Sequence, residues 1–392
     1  MASTRFGQFF TRVIRWQHFG LAALIIATFF LHLSVIMLPD RVVFDEQFYV
    51  EDARRIINGG VTERAEHPPL GKMIEVGSME LFGDNQFGWR MAAVIFATAA
   101  VGIFYFICRK IGMNGRATLI ATFLLAFENL TFVQGGIGML DVYFVTLSMA
   151  AFLIYLYGHY EWAGMAVALA ALAKLDGFLA LAVIGIHWIL VRRDKPLRVA
   201  LSVLITIFGF IGLFPLFNYF ELGHHWANPL TGIVTMIKTT AGITFSWVTH
   251  PAASQPWKWL YQVPNLAYAI KPNYFGQLSY TIWALIVPAT VYLIWRTSRR
   301  NNAASFGLAW VYGTYYAWYV VVLMLNRVTY PYYLYECVGG LCIGIALAID
   351  QLLQIGPNKG WRKRGWLFSG ISVVYLLGHL AVFLILTAVI NR

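Results

Sequence analysis

Residues 19–38 read FGLAALIIATFFLHLSVIML, an apolar run without a single Asp, Glu, Lys or Arg. About 20 apolar residues in helical form cross the hydrocarbon core of a bilayer. The whole chain has 392 residues, of which 59% are hydrophobic and 12% charged, whereas soluble domains carry roughly 25% charged residues. This composition excludes an ordinary soluble enzyme or a disordered chain and predicts an integral membrane protein.

Similar runs follow along the chain and predict an all-α bundle of about eleven transmembrane helices in a single domain, 1–392. The runs are 19–38, 87–108, 117–127, 140–158, 162–174, 177–191, 199–217, 278–295, 303–325, 334–353 and 366–390. Since a single helix over 162–191 would be about 45 Å long, too long for a bilayer, we interpret it as a hairpin. Charged sequence, not a small-residue cleavage site, follows the first run, so we expect no cleavable signal peptide.

The hairpin also places the short basic loops on one side of the membrane. Most of the 29 Lys and Arg residues then lie in segments that the positive-inside rule assigns to the cytoplasm. The amino terminus is therefore predicted to be cytoplasmic and the carboxyl terminus extracytoplasmic, in a multi-pass protein of the cell membrane. The excess positive charge is explained by topology, so a nucleic-acid partner is not expected.

Two long connections, 39–86 and 218–277, are predicted to lie on the outer face and to carry short amphipathic helices. The first contains 10 of the 18 acidic residues, and we expect most of them on a solvated surface. The runs 117–127 and 162–174 are too short to reach both interfaces, so their outer ends should lie below the membrane surface. Irregular backbone at that depth requires a protein-lined or water-filled cavity. The pattern favours an enzyme that acts on a lipid-borne substrate beneath these two loops.

Asp45 and Glu46, directly after the first run, are the strongest candidates for catalysis. A carboxylate at the membrane boundary can accept the proton of an incoming hydroxyl as a general base. The alternative is a pair of acids that stabilises a helix amino terminus. Farther on, the two prolines after His67 restrict the backbone and should hold Glu66, His67 and Lys72 in a set geometry.

Charged residues within or beside the apolar runs form a second group of candidates, because charges in hydrocarbon tend to pair or to serve function. They are expected to converge on the same cavity and comprise Arg90, Glu128, Asp141, Lys174, Asp176, Arg327 and Glu336. The guanidinium of Arg327 or the ammonium of Lys174 could bind a phosphate. Snorkelling to the interface is the alternative for both.

The string HPAASQPWKW, which begins at His250 and includes Trp257, lies in the second outer loop. Its tryptophans could form an aromatic belt or present a face to a sugar ring. No glycine-rich phosphate loop, nucleophile elbow or metal-ligand cluster is evident. The three cysteines, Cys108, Cys337 and Cys342, lie in apolar stretches and predict neither disulfides nor a zinc site.

In this order, these strings resemble the dolichyl-phosphate-mannose–protein mannosyltransferases, the protein O-mannosyltransferases of the GT-C superfamily. The resemblance extends over nearly the whole chain. It rests on the segments 44–46, 67–72, 89–90, 133–134, 139–141, 173–174 and 250–259.

The resemblance implies a GT-C bundle that transfers mannose, with inversion and without a metal or other cofactor, on the extracytoplasmic face. The donor would be a polyprenyl phosphate mannose, and the acceptor a Ser or Thr of a secreted or membrane protein. Asp45 would be the base, with Glu46 as its partner beside Arg90. Glu66 would match the acidic residue before His-Pro-Pro, and Arg327 a late arginine near the carrier phosphate.

The chain departs from that family at three points. Gln134 is followed by Gly135 and Gly136 where an arginine is usual, Lys174 is followed by Leu175 where a tryptophan is usual, and 218–277 is too short for a MIR-type domain. The cation that this arginine would supply is therefore either missing or supplied by another residue. The class of acceptor also stays open. Transfer to a lipid or glycan acceptor is one alternative, and transport of polyprenyl-linked sugars is another. Oligomeric state is not predicted.

Overall fold

The computed structural model describes residues 18–62, 64–263, 266–358 and 362–391, and it is predominantly helical. The helices before residue 175 are α1 (Phe19–Val35), α2 (Glu46–Ile57), α3 (Pro69–Phe82), α4 (Gln86–Lys110), α5 (Gly115–Ala126), α6 (Asn129–Gln134), α7 (Leu140–Leu156) and α8 (Tyr160–Ala173). The later helices are α9 (Leu179–His187), α10 (Pro196–Glu221), α11 (Pro229–Gly242), α12 (Tyr280–Trp283), α13 (Ile286–Ser298), α14 (Asn302–Val311), α15 (Ala317–Leu325), α16 (Val338–Asn358) and α17 (Arg362–Leu386).

Helices of other kinds extend or connect these elements. Short 3-10 helices occupy Leu175–Phe178, Pro256–Leu260 and Pro331–Cys337, and π-helical turns occupy Trp188–Arg192 and Tyr312–Tyr316. The strands β1 (Ala267–Ala269) and β2 (Tyr274–Phe275) form an antiparallel pair in the second predicted outer loop.

Apolar helices long enough to cross a bilayer confirm the multi-pass prediction. Among the described residues, six helical stretches meet this requirement: Gln86–Lys110, Leu175–Arg192, Pro196–Glu221, Asn302–Leu325, Pro331–Gln354 and Gly365–Leu386. Four apolar helices are shorter, namely α1, α5, α7 and α8. Each of the eleven predicted runs is at least partly helical, while the number of membrane crossings and the side on which each terminus lies stay predictions.

The predicted division of 162–191 is visible as a break after α8. Lys174 has an extended backbone, with φ −158° and ψ 139°. At Gly177 the chain passes so close to α8 that an added Cβ would lie 2.3 Å from the carbonyl carbon of Ala170. Only a residue without a side chain fits there, so the sharp change of direction is built into the sequence.

The segment 39–86 folds as two amphipathic helices, α2 and α3, as predicted, but its acids are not mostly solvated. Four of the nine acids that the structure describes there are exposed: Asp40, Glu51, Glu80 and Asp84. Glu46, Asp52 and Glu75 are buried, Asp45 and Glu66 are half-buried, and Glu63 lies outside the described residues. The expectation was wrong because this segment packs onto the helical bundle instead of lying free above it.

A close contact between α3 and α8 fixes the segment to the bundle. A Cβ added at Gly71 would lie 2.6 Å from the carbonyl oxygen of Ala173, directly before Lys174, and 2.8 Å from Leu140 Cδ2. At Gly77, on the same helix, such a Cβ would meet nothing within 4 Å. The two glycines therefore form a matched pair for mutation.

We expect Gly71→Ala to lower the free energy of unfolding by about 1–3 kcal/mol, because the helix must move away from a backbone oxygen. Gly77→Ala should raise it by about 0.5–1 kcal/mol, because alanine restricts the unfolded chain and favours helix. Thermal melting of the detergent-solubilised protein measures both. Equal effects of the two substitutions would contradict the close α3–α8 contact.

Candidate active site

An open cavity of about 790 Å³ lies where both predicted outer loops meet the helical bundle. Its lining comes from the segment 45–67, the break after α8, the end of α11 and the segment 327–333. Six of the residues predicted from sequence line it: Asp45, Glu66, His67, Lys174, Asp176 and Arg327. A cavity therefore lies between the segments from which it was predicted and gathers residues that are far apart in sequence, while its depth in a membrane stays a prediction.

Asp45 presents its carboxyl group to this cavity and does not use it to cap a helix. It occupies the N-cap position of α2 but makes no side-chain capping hydrogen bond, although its carbonyl oxygen accepts from Phe48 N at 2.9 Å. Burial raises the pKa of Asp45 to about 6, an effect that the positive charge of Lys174 opposes. A carboxylate with a pKa just below neutrality is suited to general-base catalysis. This geometry disfavours the reading of Asp45 as a helix-stabilising acid.

The residue before Asp45 has an unusual backbone conformation. Phe44 has a φ of +50°, a left-handed conformation that costs a non-glycine residue roughly 1–2 kcal/mol. Its ring stacks on Tyr268, with the centroids 4.4 Å apart and the planes at 20°, and packs edge-on against Tyr332. Aromatic packing thus holds the turn that orients Asp45.

Glu46, predicted as the catalytic partner of Asp45, does not line the cavity. It is completely buried and forms a bidentate ion pair with Arg90, with Nε–Oε1 at 2.8 Å and Nη2–Oε2 at 2.9 Å. The backbone N–H groups of Val43 and Gly138 also donate to the Glu46 carboxylate. The sequence-derived pairing of Glu46 with Arg90 is present in the structure, but as a support directly behind Asp45.

Arg90 likewise does not line the cavity, and it binds the backbone that leads to Asp45. Its guanidinium donates to the carbonyl oxygens of Ile36, Leu38, Pro39 and Arg41 at 2.8–3.0 Å. The Glu46–Arg90 pair therefore fixes the chain between the end of α1 and the start of α2.

Lys174 lies in the extended break after α8, between two carboxylates. Its ammonium is 2.9 Å from Asp141 Oδ1 and 3.2 Å from Asp176 Oδ2, and it lies 4.9 Å from the ring centroid of Tyr333. Asp141 is buried and does not line the cavity, whereas Lys174 and Asp176 do. The two carboxylates balance the charge of Lys174, so this cluster supplies shape and hydrogen-bond donors more than net positive charge.

Two arginines supply the other positive charges at the cavity. Arg327 donates from Nη1 to the carbonyl oxygen of Ile243 at 2.9 Å, which holds its side chain against the segment after α11. Arg64 stacks on Phe48, 3.7 Å from the ring centroid, and its Nη1 lies 4.0 Å from Glu66 Oε1. Arg64 was missed in the sequence, because a single arginine in a polar loop has no local pattern that sets it apart.

His67 completes the wall beside Asp45. Its Nε2 is hydrogen-bonded to the hydroxyl of Tyr49 at 3.3 Å. Burial, reinforced by the charge of Lys174, holds the pKa of His67 well below its usual value. The imidazole is therefore neutral at pH 7 and adds a hydrogen-bonding group, not a further cation.

Lys72, grouped with His67 in the sequence, points elsewhere. Its ammonium is buried between Asp52 at 3.3 Å and Glu221 at 2.9 Å, and it donates to the carbonyl oxygen of Arg64. Lys72 therefore joins the first predicted outer segment to the end of α10, a structural role that its position three residues after the second proline did not reveal.

The remaining predicted residues lie outside the lining of the cavity. His250 is exposed and packs edge-on against Tyr330, itself a lining residue, whereas Trp257 packs on Tyr319. The carboxylate of Glu128 accepts from Thr131 N and Ser279 N, and Glu336 accepts from the indole of Trp318. Of the seven embedded charges expected to converge on one cavity, four do not line it, namely Arg90, Glu128, Asp141 and Glu336.

Comparisons with known proteins agree with this architecture. Residues 74–227 match the family described as dolichyl-phosphate-mannose-protein mannosyltransferase. A polyprenol-phosphate-mannose–protein mannosyltransferase of Corynebacterium glutamicum is 22% identical over an alignment 437 positions long. The alignment covers 87% of this chain and 84% of that protein.

Solved structures share the fold. A chain of the S. cerevisiae protein O-mannosyltransferase complex bound to the sugar donor superposes with a TM-score of 0.72 at 12% identity, covering 94% of this chain and 89% of that chain. ArnT from Cupriavidus metallidurans, bound to undecaprenyl phosphate, superposes with a TM-score of 0.57 at 17% identity, over 94% of this chain and 74% of that one. At these identities the likeness establishes a GT-C fold.

Proposed function

We propose that this chain is a protein O-mannosyltransferase of the GT-C fold, which transfers mannose from a polyprenyl phosphate mannose donor to Ser or Thr hydroxyls of proteins. The match of residues 74–227 to that family, the related mannosyltransferase and the shared fold support this proposal. The observation that carries the proposal is that the Asp45 side chain, which makes no capping hydrogen bond to α2, lines the same cavity as Arg64 and Arg327. A base and a set of cations around one space are what displacement of a lipid phosphate requires.

In the proposed reaction, Asp45 accepts the proton of the acceptor hydroxyl, and the resulting oxygen attacks the anomeric carbon. The bond from that carbon to the phosphate oxygen breaks as the new bond forms on the opposite face, so the configuration inverts. The polyprenyl phosphate leaves with the bonding electrons. Arg64 and Arg327 stabilise the charge that develops on it, a contribution that is often the largest in catalysis.

The direct test uses the purified full-length chain with radiolabelled polyprenyl phosphate mannose and a Ser/Thr-containing peptide. We expect label on the peptide and none on a matched peptide with Ala in place of Ser and Thr. Label on a lipid or glycan, with none on the peptide, would favour the alternative acceptor class. Absence of any transfer from this donor would overturn the proposed donor.

The pH dependence of transfer should report the titration of Asp45. Below its pKa of about 6 the carboxyl group is protonated and cannot accept a proton, so kcat/KM should fall about tenfold per pH unit. Above that pKa the profile should flatten. Measurement from about pH 5 to about pH 8 tests this, and a profile that is flat through pH 6 would contradict a base with this pKa.

We also propose that no metal ion is required, because Arg64 and Arg327 can neutralise the leaving phosphate. Saturating EDTA should therefore leave the rate of transfer unchanged. Loss of activity in EDTA with recovery on addition of Mg²⁺ or Mn²⁺ would show that the arginines do not suffice.

We propose that the cavity opens to the extracytoplasmic side, since the loop that lines it lies opposite the basic segments predicted to be cytoplasmic. The three native cysteines are buried and should not react with a maleimide. A single introduced cysteine can therefore report on which side of the membrane its segment lies. A membrane-impermeant maleimide should label Glu51→Cys, an exposed position of α2, in intact cells. Labelling only after lysis would show that this segment faces the cytoplasm and would contradict the predicted orientation.

A further inference from the structure

A second polar cavity, of about 1060 Å³, lies between the ends of α4 and α13 and the starts of α5 and α14. It shares no lining residue with the active-site cavity. Its walls come from the connections after α4 and α13, two of the basic segments predicted to be cytoplasmic, and from one face of α16. The proposed transfer reaction uses none of these residues.

The charge of this cavity, which we term the basic pocket, is predominantly positive. Lys110, Arg296 and Arg300 line it, and Asp350 is its one lining carboxylate. Asp350 is already bound by Arg116 at 2.7 Å and by Asn114 at 2.8 Å. In the part of the chain that the structure describes, none of the three lining cations forms a salt bridge. An anion could therefore bind there without displacing an existing ion pair.

An apolar groove of about 880 Å³ lies along α13, α16 and α17, and it shares no lining residue with the basic pocket. On α13 it is lined by Leu285, Pro288, Ala289 and Tyr292; on α16 by Gly344, Ile345, Ala348, Ile349 and Leu352; and on α17 by Ile371, Ser372 and Tyr375. Such a groove between apolar helices suits a hydrocarbon chain.

Gln351 joins the groove to the basic pocket. Its Oε1 accepts from the hydroxyl of Tyr292, a groove residue, at 2.7 Å and from Arg296 Nη1, a pocket residue, at 2.8 Å. Arg296 follows Tyr292 by one helical turn on the same face of α13. A ligand that fills both spaces needs an anionic group at one end and an apolar chain at the other.

We propose that the basic pocket and the groove bind one anionic phospholipid of the predicted cytoplasmic leaflet, at a site separate from the active site. Lys110, Arg296 and Arg300 contact the headgroup phosphate, and one acyl chain lies in the groove. Basic pockets between transmembrane helices on the cytoplasmic side recognise anionic headgroups in this way. Topology alone explains basic residues in these loops, but it does not explain an apolar groove beside them that Gln351 links to the basic pocket by hydrogen bonds.

The test is native mass spectrometry of the full-length protein with phosphatidylglycerol or phosphatidylcholine of identical acyl chains. The wild type should retain phosphatidylglycerol preferentially. Arg300→Gln should lower that retention about fivefold, because a basic residue near the headgroup contributes roughly that factor. Arg299→Gln is the matched control: Arg299 is the preceding exposed residue and does not line the pocket.

The groove is tested separately with Ala348→Phe, which fills it, and with Val374→Phe, at an exposed position of α17 outside it. Only Ala348→Phe should reduce phosphatidylglycerol binding. Each variant should unfold in a single cooperative transition, which shows that it is folded. Equal retention of the two lipids, equal effects of Arg300→Gln and Arg299→Gln, or competition by millimolar inorganic phosphate alone would each overturn the proposal. The last outcome would identify an anion site without a lipid.

Discussion

Replacing Asp45 by Asn is expected to lower the rate of mannose transfer by about a thousandfold. General-base catalysis typically contributes 10²–10⁴, and the amide cannot accept the hydroxyl proton. The side chain makes no capping hydrogen bond to α2, so its replacement removes no helix-stabilising contact. Expression and thermal melting should therefore stay close to those of the wild type.

Asp40→Asn is the matched control, because Asp40 is an exposed acid of the same segment. It should retain wild-type activity. Initial rates at saturating donor and peptide separate a loss of kcat from a loss of binding. An Asp45→Asn enzyme that turns over at more than about a tenth of the wild-type rate would remove Asp45 from the proposed role of base.

The second large effect is expected in stability. Glu46→Gln should lower the free energy of unfolding by about 3–5 kcal/mol, because it leaves the buried guanidinium of Arg90 without a counter-charge. The amide has nearly the same shape, so the loss reports charge and hydrogen bonding, not packing. Melting of the detergent-solubilised protein measures it.

Glu51→Gln provides the control on the same helix. Glu51 pairs with Arg55 at 2.8 Å, but its side chain is 52% exposed, and such a pair contributes about 0.5 kcal/mol or less. A double variant, Glu46→Gln with Arg90→Gln, should lose less than the sum of the two single variants, since it removes both charges of one pair. Additive losses would show that the two side chains act independently.

The distinction between the two adjacent acids also bears on activity. Asp45 is expected to affect turnover with little change in stability, whereas Glu46 is expected to affect stability first and activity through it. Buffer conditions that stabilise the Glu46→Gln protein should therefore restore part of its activity. No such recovery is expected for Asp45→Asn, because the missing group takes part in the reaction.

Much of the fold could be predicted from sequence because hydropathy is a local property. The run 19–38 is apolar enough to be buried away from water irrespective of its neighbours in the fold. The break at Lys174 and Gly177 is marked by charged and small residues in an otherwise apolar stretch. The acids and prolines of 39–86 likewise marked the segment that contributes to the cavity. These patterns determined the membrane class, and the order of the motifs gave the resemblance on which the proposed function draws.

Only the tertiary structure separated the roles of the candidate residues. Whether a carboxylate faces a cavity or a guanidinium depends on contacts between residues distant in sequence, such as Glu46 with Arg90 or Lys72 with Glu221, and no local pattern records such contacts. Contacts between distant residues also place Arg64 in the lining of the cavity and leave His250 and Trp257 outside it. Burial and charge balance are properties of the assembled surroundings, so the sequence determined which groups were present and the fold determined which of them face the cavity.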